Sequence, residues 1–212
     1  MIYTIGGIKG GSGKSTHATN LTVMLAKQGH DVLLVDADDQ QTSKEFNEWR
    51  QDTFGDTGYT FVQLYEKAVA SEVLKLSSKY NHIVIDTGGR DTKSQRAAMA
   101  ISDIYLAPFR PKSFDIWTLE KTEELVSEIS TVNQKLKAFS FINEGFHQGK
   151  DNEDVAQILK ESEVLSYIDA PVRNRKAVSN AASEGRAVIE YKPQDEKAIS
   201  EFTTLFNIII SM

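Results

Sequence analysis

The sequence contains no cysteine and no long apolar run. Without cysteine, a disulfide framework, a thiolate metal site and a thiol nucleophile are all excluded. No segment approaches the ~20 apolar residues of a membrane-spanning helix. No basic region precedes an apolar run at the start, so we expect no secretory signal. These absences are typical of a cytoplasmic protein.

Positive charge is also in short supply. The 24 lysines and arginines are outnumbered by 30 aspartates and glutamates, which gives a formal net charge of −6. This balance excludes a uniformly basic coat for nucleic acid, so any DNA contact should be a local patch. With 40% apolar and 25% charged residues, the composition is that of a globular protein, and we expect one domain over residues 1–212.

Short runs of apolar and β-branched residues recur between amphipathic stretches. They cover residues 3–6, 32–36, 83–86, 104–107, 139–143 and, more weakly, 167–172. Continuous apolar strands that alternate with helices predict a doubly wound α/β fold, in which a mostly parallel sheet is covered by helices on both faces. Ligands of such sheets bind beyond the carboxyl ends of the strands, where the motifs below fall.

Some helix ends can also be predicted. One helix should cover residues 15–28, before Gly29, and another 116–130 with Asp115 as its N-cap. Residues 52–58 are polar and contain glycine, which predicts a loop.

An apolar stripe lies near the C-terminus, formed by Phe202, Leu205, Phe206 and Ile209. Its spacing fits a helix that faces the core, and it also fits a helix that lies on a membrane surface. The stripe lacks the basic polar face that anionic lipid favours, so we expect a core helix and no membrane partner.

A glycine-rich loop follows the first strand. Residues 6–16 read Gly-Gly-Ile-Lys-Gly-Gly-Ser-Gly-Lys-Ser-Thr and lead into an apolar-periodic helix. A strand, a glycine loop and a helix are the setting of a phosphate loop, whose backbone N–H groups and helix N-terminus bind phosphate. Lys14 would reach the β and γ phosphates and Ser15 would hold Mg²⁺. The predicted nucleotide contacts are Gly10, Gly11, Ser12, Gly13, Lys14, Ser15 and Thr16.

The loop departs from the strict pattern at Ile8, where glycine is usual. A glycine-rich turn without a ligand is the alternative, while a dinucleotide fingerprint is excluded because its third glycine would fall on Thr16. The run from Lys9 to Ser15 resembles the deviant Walker A box of the ParA/MinD superfamily, whose mark is a second lysine ahead of the glycines. The resemblance implies that Lys9 reaches the nucleotide of a partner subunit, so that ATP bridges two subunits. An exposed loop lysine is the alternative.

Acidic residues follow two of the predicted strands. Asp36 and Asp38 come after the second, and the resemblance implies that Asp38 orients the attacking water while Asp36 lies near the metal. Asp39 stands where the family usually has proline. The alternative interpretation of Asp36 and Asp38 is a pair of solvated loop acids without a role in the site. Asp86 ends the next apolar strand in a Walker B pattern, and its carboxylate can bind Mg²⁺.

Two further sites rest on weaker patterns. Asn143, at a strand end, matches by resemblance an asparagine that hydrogen-bonds adenine, although an ordinary loop asparagine fits equally. Residues 172–192 carry a net charge of +3 in an acidic chain, which predicts a phosphate-contacting patch or a solvated basic turn. The predicted DNA contacts are Arg173, Arg175, Lys176 and Arg186.

The resemblance runs from Ile2 to about Leu205 and implies a small ParA-like partition ATPase. Its cofactors would be ATP and Mg²⁺, and its partners a second copy of the chain, non-specific duplex DNA on the nucleoid and a ParB-like or cargo-adaptor protein. A protein cargo such as carboxysomes or chemotaxis clusters, a MinD-like membrane switch, a non-hydrolysing scaffold and a dethiobiotin-synthetase-like kinase remain alternatives.

Overall fold

The computed structural model describes residues 1–212 apart from the side chain of Phe114. The described residues form one parallel sheet of seven strands, in the order β3-β2-β4-β1-β5-β6-β7. The strands are β1 Ile2–Ile5, β2 Val32–Ala37, β3 Thr60–Gln63, β4 His82–Thr87, β5 Ile104–Phe109, β6 Lys137–Ile142 and β7 Ser166–Tyr167. The predicted doubly wound α/β fold is confirmed.

Helices cover both faces of this sheet. They are α1 Lys14–Lys27, α2 Thr42–Phe54, α3 Lys67–Leu76, α4 Lys93–Met99, α5 Ser113–Ile116, α6 Leu119–Ser130, α7 Asp151–Lys160, α8 Lys176–Ala182 and α9 Glu196–Ile210. Successive strand residues point to opposite faces. Leu34 and Val84 therefore pack with α1 and α9, whereas Leu33 and Ile83 pack with α3 and α4.

Two strands differ from the sequence prediction. The prediction missed β3, a four-residue edge strand with no buried residue, because it has no continuous apolar run. The weak strand over residues 167–172 pairs in the sheet only at Ser166–Tyr167. The helix predicted over 15–28 is α1, and the following Gly29 adopts a φ of +86°, which favours glycine at a helix end.

The predicted N-cap role of Asp115 is wrong. Asp115 lies inside α5, and its buried carboxylate accepts hydrogen bonds from Nε and Nη2 of Arg110 at 2.7 and 3.1 Å. Helix α6 begins later, after Thr118. The predicted loop over 52–58 is also shorter than expected, because α2 continues to Phe54 and ends at Gly55.

The apolar stripe of α9 belongs to the core, as predicted. Phe202, Leu205, Phe206 and Ile209 are at most 1% exposed and pack against α1 and the sheet. The helix begins at an N-cap, Asp195, whose Oδ1 accepts the N–H groups of Lys197 and Ala198. Within the described residues, no helix combines the length and apolarity needed to cross a membrane.

Truncating this stripe should therefore destabilise the fold rather than remove a membrane-binding surface. Phe206→Ala removes a ring that is 1% exposed, and we expect it to lower the free energy of unfolding by about 3–5 kcal/mol. Urea denaturation measures this change. The neighbouring exposed Asn207 is the matched control, and Asn207→Ala should cost less than about 0.5 kcal/mol. A similar, small effect of both substitutions would show that the stripe is not part of the core.

Candidate functional site

A cavity of about 570 Å³ opens at the carboxyl ends of the strands, between the loops that follow β1, β2 and β4. The predicted residues that line it are Gly10, Gly11, Gly13, Lys14, Ser15, Thr16 and Asp38. Ser12, also predicted, is buried on the opposite side of the glycine loop. The structure thus brings the loop and one of the strand-end acids to a single cavity.

The glycine loop is closely packed from both sides. Gly13 has a φ of +95°, and a Cβ there would collide with Nδ2 of Asn143. On the other side, a Cβ on Gly89 would lie 2.5 Å from Cα of Gly10. Only glycine fits where two backbones approach this closely, so the loop after β4 lies directly against the phosphate loop.

The two lysines of the loop differ in their surroundings. Lys14 is buried, and its Nζ donates to the backbone carbonyl of Lys9 at 2.9 Å. Burial lowers the pKa of Lys14, while the carboxylates of Asp86 and Asp38 oppose this shift. Lys9 is half-buried, and its ammonium has no hydrogen-bond or ion-pair partner within the described part of the chain. The loop therefore carries one inward cation and one that is free to bind another group.

The acids Asp36 and Asp86 lie side by side on β2 and β4 and are fully buried. Both oxygens of Asp36 accept backbone N–H groups, from Asp38 at 3.1 Å and from Lys44 at 2.9 Å. In Asp86, Oδ2 accepts the Ser43 hydroxyl at 2.7 Å, whereas Oδ1 has no partner among the described residues. Asp86 thus keeps a buried oxygen available for a ligand, and Asp36 serves the backbone.

Burial raises the pKa of Asp86 to about 7, although the Ser15 and Ser43 hydroxyls and the Lys14 ammonium lower it in part. A buried carboxylate with a free oxygen beside a serine hydroxyl is the donor set that a hard divalent cation such as Mg²⁺ prefers. The residues present therefore fit the predicted metal, with Ser15 and Asp86 as candidate ligands.

Asp38 lies between the loops that follow β2 and β4. It is half-buried and lines the cavity. Its Oδ1 accepts the N–H of Gln40 at 3.1 Å, and the same oxygen is 2.9 Å from where a Cβ of Gly88 would lie. Asp39 is exposed at the rim, so this pair of acids differs in depth.

Two polar residues that support the site were missed by sequence reasoning. Ser43, on α2, holds Asp86. Gln95, on α4, accepts the N–H of Gly7 at 3.1 Å and the hydroxyl of Thr87 at 3.0 Å. No local pattern marks either residue, because their partners Asp86 and Gly7 lie 43 and 88 residues away along the chain.

Asn143 reaches the phosphate loop from behind. Its Nδ2 donates to the carbonyl of Ser12 at 2.7 Å, and its Oδ1 lies 2.9 Å from Nε2 of His17. Asn143 also lines a second cavity of about 130 Å³ beside Thr16 and Val172. The structure gives this side chain a bracing role, and its contact with adenine stays a prediction.

The basic segment, residues 172–192, has fewer unpaired cations than its charge count indicates. Arg173 and Arg175 both bind Glu201 of α9, at 3.2 and 2.7 Å, and Arg175 is mostly buried. Arg186 binds Glu184 and lies over the ring of Phe54.

Residues 172–192, for which the charge was counted, do not include Asp195 and Glu201, which pair with Arg175. Counting these two acids lowers the net charge from +3 to +1. Ion pairs within the protein therefore neutralise part of the predicted local patch, and its contact with DNA stays a prediction. Of the four predicted DNA contacts, Lys176 is the exposed one for which the structure shows no ion pair within the described residues.

Known proteins that are similar to this chain share its fold. A family model described as the CobQ/CobB/MinD/ParA nucleotide binding domain matches residues 3–188. The chain is similar to maintenance of carboxysome distribution protein A from Halothiobacillus neapolitanus, with 26% identity over 208 residues that cover 97% of this chain and 94% of the relative.

Solved structures with the same fold include the following two proteins. McdA from Cyanothece in complex with ATP has a TM-score of 0.78 and 18% identity, and the match covers 98% of this chain and 95% of that one. A plasmid partition protein from Borrelia burgdorferi has a TM-score of 0.73 and 20% identity, with 99% and 97% covered.

The buried carboxylate of Asp86 should make stability depend on pH. Its folded pKa of about 7 lies above the ordinary 3.8, so this group favours folding at low pH and the contribution is lost as pH rises through 7. Asp86→Asn keeps the acceptor for Ser43 and removes the charge. We expect the variant to be more stable than the natural protein by about 2–4 kcal/mol at pH 8, and the difference to shrink toward pH 5.

Urea denaturation of the nucleotide-free protein from pH 5.5 to 8.5 measures this difference. The exposed Asp39 provides the control, because Asp39→Asn should keep the pH dependence of the natural protein. A stability difference for Asp86→Asn that does not change with pH would contradict the raised pKa of Asp86.

Proposed function

The chain belongs to the CobQ/CobB/MinD/ParA nucleotide-binding family, and on that premise we propose that it is an ATPase that dimerises around ATP and positions a cargo. The observation that carries the proposal is the second lysine of the phosphate loop. Lys14 is turned inward to a backbone carbonyl, and the half-buried Lys9 keeps an ammonium without a partner in the described residues.

The position of Lys9 favours a ligand that comes from a second subunit. Gly10 and Gly11, which follow it, are exposed, so this edge of the loop faces outward. A cation at an outward edge is satisfied by concentrated negative charge on a facing surface. The triphosphate of a second, oppositely oriented subunit supplies that charge, and ATP then bridges the two copies.

The remaining site residues support phosphoryl transfer to water. Mg²⁺, held by Ser15 and Asp86 with Asp36 behind them, would neutralise charge on the β and γ phosphates. Asp38 would accept a hydrogen bond from the attacking water and orient it. Asn143 would contact adenine from the adjoining 130 Å³ cavity. An acceptor-dependent kinase is the competing activity, and it predicts ADP release only with an acceptor present.

The cargo and the surface on which it moves form the finer part of the proposal. Similar proteins are named for carboxysome distribution and for plasmid partition, so a DNA or protein cargo would be delivered by a ParB-like or adaptor partner that stimulates hydrolysis. Non-specific duplex DNA of the nucleoid would be the surface, and the cycle would be cytoplasmic. A MinD-like membrane switch is disfavoured because the apolar stripe of α9 is already buried.

The dimer can be tested directly with a variant that retains ATP. Asp38→Ala should bind ATP and hydrolyse it slowly, and its mass in solution should double with ATP but not with ADP. Adding Lys9→Ala should abolish the doubling while ATP affinity in the monomer changes by less than about threefold. Light scattering after size-exclusion chromatography measures the mass. A monomer under every condition would contradict the cross-subunit role of Lys9.

DNA binding is expected to depend on Lys176. ATP-loaded Asp38→Ala protein should bind duplex DNA at low salt, and Lys176→Glu should weaken binding and lower the salt slope by about one for each lost phosphate contact. Fluorescence anisotropy over a salt series measures both. Lys79→Glu is the control, because Lys79 is exposed at the amino end of β4, opposite the cavity. Equal effects of the two substitutions, or no DNA binding with ATP, would contradict this part of the proposal.

A further inference from the structure

His17 is a buried polar residue that the proposed cycle does not use. It lies on α1, three residues after Lys14, and is 1% exposed. Its ring stacks on Phe202 of α9, with centroids 5.0 Å apart and an interplanar angle of 20°, and it meets Phe141 edge-on at 4.7 Å. Burial lowers the pKa of His17 to about 4, so the imidazole is neutral near pH 7 and has one N–H to donate.

The hydrogen bonds of Asn143 determine which ring nitrogen carries that proton. The carbonyl of Ser12 can only accept, so the amide nitrogen of Asn143 must face it, at 2.7 Å. The amide oxygen then faces Nε2 of His17, at 2.9 Å. An oxygen there requires a donor, and the proton is therefore on Nε2. Nδ1 is left without a partner among the described residues.

This chain of hydrogen bonds ends on a peptide unit of the phosphate loop. In a trans peptide the C=O and N–H point in opposite directions. When Asn143 holds the Ser12 carbonyl behind the loop, the N–H of Gly13 in the same peptide unit is directed to the other side. Gly13 lines the 570 Å³ cavity on that side, where an N–H can bind phosphate.

We infer that His17 is a positioning residue for the phosphate loop: its Nε2–H holds the Asn143 amide against the Ser12 carbonyl, and this fixes the direction of the Gly13 N–H. The same ring packs against Phe202 of α9, and we expect that contact to contribute to stability and not to the direction of the Gly13 N–H. This inference rests on the proposed nucleotide site and deepens it.

Two substitutions separate the hydrogen bond from the packing. His17→Phe keeps an aromatic ring in the cluster but leaves Asn143 Oδ1 without a donor. His17→Gln places an amide N–H near the position of Nε2 but loses the aromatic contacts. We expect His17→Phe to weaken ATP binding about tenfold and His17→Gln to stay within about threefold of the natural protein, although His17→Gln should be the less stable variant.

A purely structural role of His17 would not give this result, because the less stable variant, His17→Gln, would then also bind ATP more weakly. Calorimetry measures the affinity, and urea denaturation measures the stability. Inorganic tripolyphosphate is the second probe, and it should show the same tenfold loss in His17→Phe, because the inference concerns the loop and not the base. Phe202→Leu is the control: it loosens the stack while both hydrogen bonds remain, so it should lower stability and change ATP affinity less than about twofold.

The possible failures can be told apart. Nitrogen-15 NMR of the nucleotide-free protein reports the tautomer, and a proton on Nδ1 would overturn this inference alone. Equal ATP binding by His17→Phe and the natural protein, or a loss confined to ATP with tripolyphosphate unaffected, would also overturn it alone. A natural protein that binds neither ATP nor tripolyphosphate would overturn the proposed function and this inference with it.

Discussion

Two fully buried carboxylates on adjacent strands are the constraint on which the site depends. The in-register pairing of β2 with β4 places Asp36 beside Asp86 at the carboxyl edge of the sheet. Burial of two like charges is costly unless they are hydrogen-bonded or neutralised. The first turn of α2 supplies part of the compensation, through the N–H of Lys44 on Asp36 and the hydroxyl of Ser43 on Asp86, and a helix N-terminus favours nearby negative charge. Oδ1 of Asp86 has no hydrogen bond among the described residues, and a bound cation would compensate its buried charge.

Helix α2 is held at its other end as well. Arg50 is 4% exposed and forms a two-point ion pair with Glu190, at 2.6 and 3.0 Å, while its Nε donates to the carbonyl of Thr57. A buried ion pair of this kind adds little net stability, but removing one partner is costly. By contrast, the loop after β4 borders the cavity with the backbone of Gly88, which lies beside Asp38, and of Gly89, which lies beside Gly10 of the phosphate loop. We therefore expect any response to the γ phosphate to begin on that side.

The sequence predicted those parts of the molecule whose signal is local. The phosphate loop, the acids at strand ends and the central strands each occupy a short run with its own spacing, and in the structure the loop joins β1 to α1 while Asp36 and Asp86 lie on β2 and β4. The errors have identifiable physical causes, which are a weak local signal, a competing ion pair or a partner that is distant in sequence. The four-residue β3 has no apolar run, and Asp115 is taken up by Arg110. The partner of Arg173 and Arg175 lies 28 and 26 residues further along the chain.

The ion pairs of Arg173 and Arg175 with Glu201 divide the basic segment into two parts. Arg173 and Arg175 line the same 130 Å³ cavity as Asn143 and Thr16, and Glu201 holds both guanidinium groups from α9. A guanidinium fixed by a carboxylate on the protein is a poor contact for DNA phosphate, because the carboxylate competes for the same N–H donors. It is, however, a well-ordered wall for a ligand that enters the cavity. The segment therefore has two parts: a fixed part that borders the site, and Lys176 at the start of α8, which is exposed and which a dimer would present twice.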